Sequence, residues 1–164
     1  HGGSLRIFAK HQEDESKPLT SRVFDLIELE RTNGLLDLPF YLAFNQKAQR
    51  LKDQFVQLLK NLKNESKTVV GYGAPAKGNT LLNYCKIKED LIQYTVDRSP
   101  HKQGKYLPGS RIPIYAPEKV SETKPDYLVI LPWNLKDEII DQMKFIREWG
   151  GQFVLPIPEP VILS

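Results

Sequence analysis

The sequence predicts an α/β fold: an open, mainly parallel sheet of five strands with helices on both faces, preceded by an N-terminal arm and a long helix. Three observations predict it. Short β-branched runs alternate with helical stretches from residue 67 onward. Apolar residues recur every three or four positions over 38–64, as on one face of a helix. A glycine-rich turn at 71–78 joins the first predicted strand to the next helix.

Residues 1–37 are predicted to form a connecting arm. A modest helical pattern at 23–29 ends near Asn33 and Gly34, a pair typical of helix termini. The arm contains too few apolar residues to bury a core of its own. Residues 38–164 are predicted to form the main domain.

From residue 67 the predicted elements alternate regularly. The strands are short, apolar and bounded by turn-forming or polar residues, and they cover 67–71, 91–96, 111–114, 126–131 and 152–155. Helices are predicted between them at 79–84, 117–120 and 135–149. This order implies right-handed crossovers, and therefore a parallel sheet covered on both sides. The proline-rich tail from Pro156 is predicted to be extended.

Composition excludes several classes of function. The 164 residues include 23 basic and 20 acidic side chains, a net charge of +3 that gives no argument for a nucleic-acid partner. One cysteine, Cys85, can form neither an intrachain disulfide nor a multi-thiolate zinc site, and the three histidines lack metal-ligand spacing. No apolar run approaches the ~20 residues of a membrane-spanning helix. We expect a cytoplasmic protein with no membrane partner.

The glycine-rich turn is the most informative segment. Gly71, Gly73 and Ala76 fit the fingerprint of dinucleotide-binding, Rossmann-like folds. We interpret Gly71 as permitting a tight turn and Gly73 as letting the backbone approach a ligand, so that free amides and the helix dipole face an anion. Lys77 adds a cation, but the Gly-Lys-Ser/Thr of a triphosphate loop is absent. The alternative is a purely structural strand-to-helix turn.

Further candidates lie at the predicted carboxyl edge of the sheet, where open parallel sheets bind ligands. Asp97 ends the second strand, in a position typical of ribose contact, although it could instead cap the turn at 97–100. The donor-rich loop at 101–110 either contributes to the site or is solvated. Trp133 could stack on a base or sugar, and Asn134 could contact a polar group or cap the next helix.

Four motifs in order carry a family resemblance, and they cover residues 71–82, 96–98, 102–109 and 131–138. With the opening run 1–6, they resemble the C-terminal domain of S-adenosylmethionine-dependent sugar C-methyltransferases. The resemblance covers nearly the whole chain, and it implies that the connecting arm at 1–37 is a remnant of the preceding methyltransferase domain. Enzymes of this family add a methyl group to a carbon of a nucleotide-linked deoxy or keto sugar.

The resemblance implies a nucleotide-sugar-binding domain that is inactive alone. S-adenosylmethionine and the acid–base residues would be held mainly by an upstream methyltransferase domain of the same polypeptide, with no metal, catalytic residue or tightly bound cofactor in this chain. The residues predicted to contact a nucleoside-diphosphate sugar share these motifs and the sheet edge: Gly71, Tyr72, Gly73, Ala74, Lys77, Gly78, Asn79, Asp97, Arg98, Trp133 and Asn134.

Two other functions stay open from the residues. The glycine pattern with Asp97 also suits an NAD- or CoA-type nucleotide-binding domain. Alternatively, the chain is a non-enzymatic interaction module, in which the turn is structural and the helix at 38–64 docks a partner.

Overall fold

A computed structural model describes residues 5–163. The first four residues of the run 1–6 used for the resemblance, and Ser164, lie outside the described part. The chain divides after Ala48 into two compact units. Among residues 5–163, no helix is long and apolar enough to cross a membrane.

The elements follow the predicted alternation. The helices are α1 (Ser21–Thr32), α2 (Leu38–Asn64), α3 (Ala76–Tyr84), α4 (Lys119–Thr123) and α5 (Lys136–Gln142). The strands are β1 (Val69–Tyr72), β2 (Thr95–Val96), β3 (Ile114–Tyr115), β4 (Tyr127–Ile130), β5 (Gln152–Leu155) and β6 (Val161–Leu163).

The strands form one sheet in the order β3-β2-β1-β4-β5-β6. The first five are parallel, and β6 runs antiparallel to β5, with Leu155 opposite Val161. This confirms the mainly parallel α/β sheet, but the expected count of five strands was one short. The sixth lies in the tail that was predicted only to be extended. Its three residues are too few for alternation to mark a strand.

Residues of β1, β4 and β5 alternate between two apolar layers. Val69, Val129 and Val154 pack in one layer with α2 and α3. Their neighbours along the strands pack in the other layer with α4 and α5. Because side chains in a strand point alternately to opposite faces, this pattern places helices on both sides of the sheet. The predicted coverage is confirmed.

The helix predicted at 135–149 is divided into three. A 3-10 turn at Trp133–Leu135 precedes α5, and a second 3-10 segment covers Lys144–Trp149. A 3-10 helix rises about 2.0 Å per residue against 1.5 Å in an α-helix, so the last segment is longer than an α-helix of six residues would be. Its end is fixed by the indole of Trp149, which donates to the carbonyl of Pro125 over 3.0 Å.

Thr68 and Asp126 join the amino ends of β1 and β4. The amide and hydroxyl of Thr68 donate to Asp126 Oδ2 over 2.8 and 2.7 Å, and the amide of Asp126 donates back to Thr68 Oγ1 over 2.9 Å. These bonds align the two central strands at the edge opposite the predicted site.

The first unit buries little of its own apolar surface. Within the described residues before Ala48, α1 contains no buried residue, and Phe44 in α2 is 70% exposed. Further along α2, in the second unit, Phe55 and Leu59 are fully buried. The two halves of α2 therefore differ sharply in environment.

Candidate functional site

The candidate site lies where the chain leaves the carboxyl ends of β1 and β4. From β1 the chain passes through α3 to β2 on one side, whereas from β4 it passes through α5 to β5 on the other. The two connections therefore diverge between neighbouring strands. In open parallel sheets, such a switch point leaves a crevice in which ligands bind.

The glycine turn is held tightly at this switch point. Gly73 has a φ of +86°, its amide donates to the carbonyl of Val96 over 2.6 Å, and its carbonyl accepts from Thr95 Oγ1 over 2.8 Å. A Cβ at Gly73 would lie 2.5 Å from Pro132 Cγ. Packing within the chain therefore requires glycine at this position. This requirement is separate from the predicted one, which was that Gly73 lets the backbone approach a ligand.

The start of α3 presents amides beside the turn. The first backbone bond after Pro75 runs from the amide of Asn79 to the Pro75 carbonyl over 3.0 Å. Amides in the first turn of a helix have no intrahelical acceptor, and the helix dipole makes this end positive. Ala76 is exposed and Gly78 is buried, so this end of α3 is open on one side.

Asp97 binds the glycine turn from the end of β2. Its Oδ2 accepts from the amide of Ala74 over 2.7 Å and from Lys102 Nζ over 3.0 Å. Its Oδ1 accepts from the amide of Ser99 over 2.8 Å, as expected for a turn aspartate. Of the two roles predicted for Asp97, the structure therefore contains the turn-capping one, and ribose contact stays a prediction.

Hydrogen bonding sets the acidity of Asp97. Burial alone raises the pKa of its carboxyl, but hydrogen bonds from the amides of Ser99 and Ala74 and the neighbouring Lys102 ammonium outweigh it. The net effect is a pKa below the ordinary value. Asp97 is therefore ionised at neutral pH.

Lys77, on α3, contacts two predicted site residues in the segment that follows β4. Its ammonium donates to Asn134 Oδ1 and lies 4.9 Å from the centroid of the Trp133 ring. All three side chains are partly buried. The structure thus brings a cation, an aromatic ring and an amide from α3 and from the segment after β4 into one cluster, which we call the Lys77 cluster.

The remaining predicted residues have other surroundings. Tyr72 is buried in the α5 layer, where its hydroxyl donates to Gln142 over 3.0 Å. Exposed Arg98 lies 3.7 Å from Glu138. Asn79 accepts from Asn83 through both its carbonyl and its side chain. Gly71 is buried in β1, and none of these residues contacts the Lys77 cluster by a described polar bond.

Comparison with known proteins identifies the family. The family model described as the C-methyltransferase C-terminal domain matches residues 1–158. The chain belongs to this family. The C-methyltransferase NovU of Streptomyces niveus is 40% identical to it over 166 aligned residues, which cover the whole chain. They make up 39% of that protein, so the chain spans about two fifths of the relative it matches.

Membership of the C-methyltransferase C-terminal domain family confirms the resemblance carried by the four motifs. Two residues of the site were not singled out from the sequence. Lys102 also donates to the Ala74 carbonyl over 3.1 Å, and Gln103 donates to the Asp97 carbonyl over 2.9 Å. The signal for them was the density of donors in the loop at 101–110, which did not distinguish one donor from another.

A second concavity has no residue of the Lys77 cluster in its lining. It has a volume of about 360 Å³ and is lined by Tyr115, Lys119 and Glu122 among others. It contains none of the predicted site residues. No group of three histidine, cysteine, aspartate or glutamate side chains in residues 5–163 is arranged to hold a metal.

Proposed function

We propose that this chain is the domain that holds the nucleoside diphosphate of a nucleotide-linked deoxy or keto sugar in an S-adenosylmethionine-dependent C-methyltransferase. The observation that carries the proposal is the position of Lys77 in the first turn of α3, with its ammonium 4.9 Å from the centroid of the Trp133 ring at the switch point of the sheet. Family membership supports the enzyme class.

The charges at the crevice suit a diphosphate. The amino end of α3 and the Lys77 ammonium are both positive, and the nearby Asp97 carboxylate is paired with Lys102. A diphosphate would accept hydrogen bonds from the helix amides and from Lys77. Charge-assisted bonds of this kind are about twice as strong as neutral ones.

The ring of Trp133 is suited to stacking on the base or the sugar of the ligand. The Lys77 ammonium now lies against the Trp133 ring, and an incoming diphosphate would compete for that ammonium. The ring face would then be available for stacking, while Asn134 would offer an amide to a polar group. One rearrangement would prepare both halves of the ligand site.

The same charges disfavour the methyl donor. S-adenosylmethionine supplies the methyl group, and its sulfonium and ammonium cations outnumber its one carboxylate, so its net charge is positive. A crevice that joins a helix amino end to Lys77 favours an anionic diphosphate over this net cation. We therefore place the methyl donor mainly on an upstream domain, and this chain positions the other substrate and is inactive alone.

The contacts of Asp97 disfavour a nicotinamide- or CoA-type function. An ionised carboxylate has about four acceptor sites, and three of those of Asp97 are taken by the donors of Ala74, Ser99 and Lys102. A ribose diol that donates two bonds would have to displace at least one of these donors. Titration with NADH tests this alternative: saturable binding that Asp97→Ala weakens would favour it over the proposal.

Calorimetric titration with thymidine diphosphate tests the proposed function. We expect the chain to bind it in the millimolar range or tighter, and Lys77→Ala to raise Kd by about tenfold, as expected for loss of one charge-assisted bond. Lys144→Ala is the matched control, because Lys144 is 70% exposed and pairs with Asp141 at the surface. Undetectable binding at millimolar ligand, or equal Kd values for Lys77→Ala and the control, would overturn the proposal.

A further inference from the structure

The first unit presents a large apolar surface to solvent. We define the apolar docking surface as six side chains of α1 and the first turns of α2, whose exposure runs from 54% at Ile27 to 70% at Phe44: Phe24, Ile27, Leu29, Leu38, Leu42 and Phe44. We propose that the methyltransferase part preceding this domain in the longer polypeptide covers this surface. The inference rests on the proposed function, because it assigns the upstream partner of that function to a place on this chain.

The first turns of α2 have the composition of a buried helix. No charged residue occurs between Asp37 and Lys47, and apolar side chains in this stretch point to every side of the helix. Helices that are apolar all round occur in the interior of proteins, because any orientation leaves an apolar face that needs cover. Yet Leu38 is 68% exposed and Leu42 is 65% exposed.

The second half of α2 differs, because its apolar side chains are covered by the core of the second unit. Phe55 and Leu59 are fully buried within a core cluster of the second unit. α1 repeats the exposed pattern, since Phe24 and Ile27 are 59% and 54% exposed at helical spacing. Large exposed apolar surfaces are typical of sites of interaction with another protein or domain.

The position of the surface along the chain identifies its occupant. Of 21 large apolar side chains exposed in residues 5–163, 15 precede Asn45. The family is that of a C-terminal domain, and the chain spans only 39% of its relative NovU, most of which therefore lies outside the matched region. A partner joined to this side of the domain is present at millimolar effective concentration. A second copy would have to associate from dilute solution.

Hydrogen–deuterium exchange tests the proposal. Exchange of the amides in 21–48 is measured in the isolated chain and in the longer polypeptide that carries the methyltransferase part. We expect fast exchange in the monomeric chain, and exchange slowed by at least ~10-fold in the longer polypeptide. Equal exchange in both, or a dimer of the isolated chain that protects these amides, would overturn the proposal.

Two variants of the longer polypeptide locate the contact. Phe44→Glu should abolish the protection of 21–48, whereas Tyr106→Glu, at a side chain 65% exposed in the second unit, should leave it unchanged. Protection around Leu59 reports that both variants are folded. Identical protection in the two variants would contradict the proposal.

Titration with thymidine diphosphate on the same samples separates the two proposals. Protection of 21–48 without nucleotide binding would support docking and overturn the proposed function. Nucleotide binding without protection would overturn docking and support the proposed function.

Discussion

Lys102 Nζ lies 3.0 Å from Asp97 Oδ2 and 3.1 Å from the carbonyl oxygen of Ala74. One ammonium therefore joins the loop after β2 to the turn after β1. Asp97 completes the link by accepting the amide of Ala74. Because this turn leads directly into α3, the link fixes the direction in which the amino end of α3 faces the crevice.

Removing the Lys102 ammonium tests the link. Lys102→Met should lower the free energy of unfolding by about 1 kcal/mol, since Asp97 keeps its two backbone donors and Lys102 is partly exposed. Lys105→Met is the control in the same loop, at an exposed lysine. Urea unfolding measures both. Equal unfolding midpoints for the two variants would show that Lys102 contributes nothing to the link.

The depressed pKa of Asp97 predicts a dependence of stability on pH. A carboxyl whose pKa is lower in the folded state stabilises the fold above its unfolded pKa, and the contribution is lost as the pH falls through the folded value. Asp97→Asn should therefore be less stable than the wild type at pH 7 and pH 5. The difference in free energy of unfolding between Asp97→Asn and the wild type should narrow below about pH 4.

Urea unfolding at pH 7, 5 and 3 measures this difference. Asp141→Asn is the control, because the Asp141 side chain is 79% exposed and pairs only with a neighbouring surface lysine. A difference between Asp97→Asn and the wild type that stays constant down to pH 3 would contradict the assignment of the low pKa to Asp97.

Gly73 and Gly104 form a matched pair for testing the turn. Both have positive φ, +86° and +75°, but a Cβ at Gly104 meets nothing within 4 Å, whereas a Cβ at Gly73 meets the Pro132 ring. Gly104→Ala should cost only the left-handed backbone term, about 1 kcal/mol. Gly73→Ala should cost about 2–4 kcal/mol, because the clash adds to it. Thermal unfolding compares the two variants. Equal losses of stability would show that the Pro132 ring moves away from the added Cβ at little energetic cost.

Truncation of leucines tests the division of α2. Leu59→Ala should lower the free energy of unfolding by about 2–5 kcal/mol, since Leu59 is fully buried and its loss leaves a cavity. Leu42→Ala should change it by less than ~0.5 kcal/mol in the isolated chain, because Leu42 is 65% exposed. Urea titration measures both. A large loss for Leu42→Ala would mean that its side chain already has cover.

Cys85 should be inert in the native protein. Burial raises the pKa of its thiol to about 11, more than the nearby Lys52 lowers it, so the thiolate is scarce at neutral pH. We expect an aromatic disulfide reagent to react with Cys85 only after unfolding in urea. Fast reaction in buffer would show that the α3 terminus opens readily.

The central sheet could be predicted because its signals are local. The β-branched residues before Gly71 and the apolar run ending at Leu131 mark buried strands without reference to the rest of the chain. β6 could not be predicted in the same way, because its pairing depends on the path of the preceding turn. Likewise, no residue near Met143 signals that the predicted helix changes there to 3-10 winding.

The candidate site was only partly readable from the sequence. Lys77, Trp133 and Asn134 were selected because each follows or opens an element at the carboxyl edge, and the structure places them together. The neighbour of Gly73 was not readable, because its contact with Pro132 joins segments almost sixty residues apart. Spacing along the chain carries no information on such a contact.

The paired bonds between Thr68 and Asp126 matter beyond the end of the sheet where they form. A shift of one residue between the two strands would send every side chain of β4 to the wrong face, and would carry the indole and amide away from the ammonium. The hydrogen bonds between Thr68 and Asp126 raise the free energy of that misaligned pairing, whether or not a ligand is bound. The dimensions of the crevice are thus decided at the far ends of the strands, by residues that never touch what it holds.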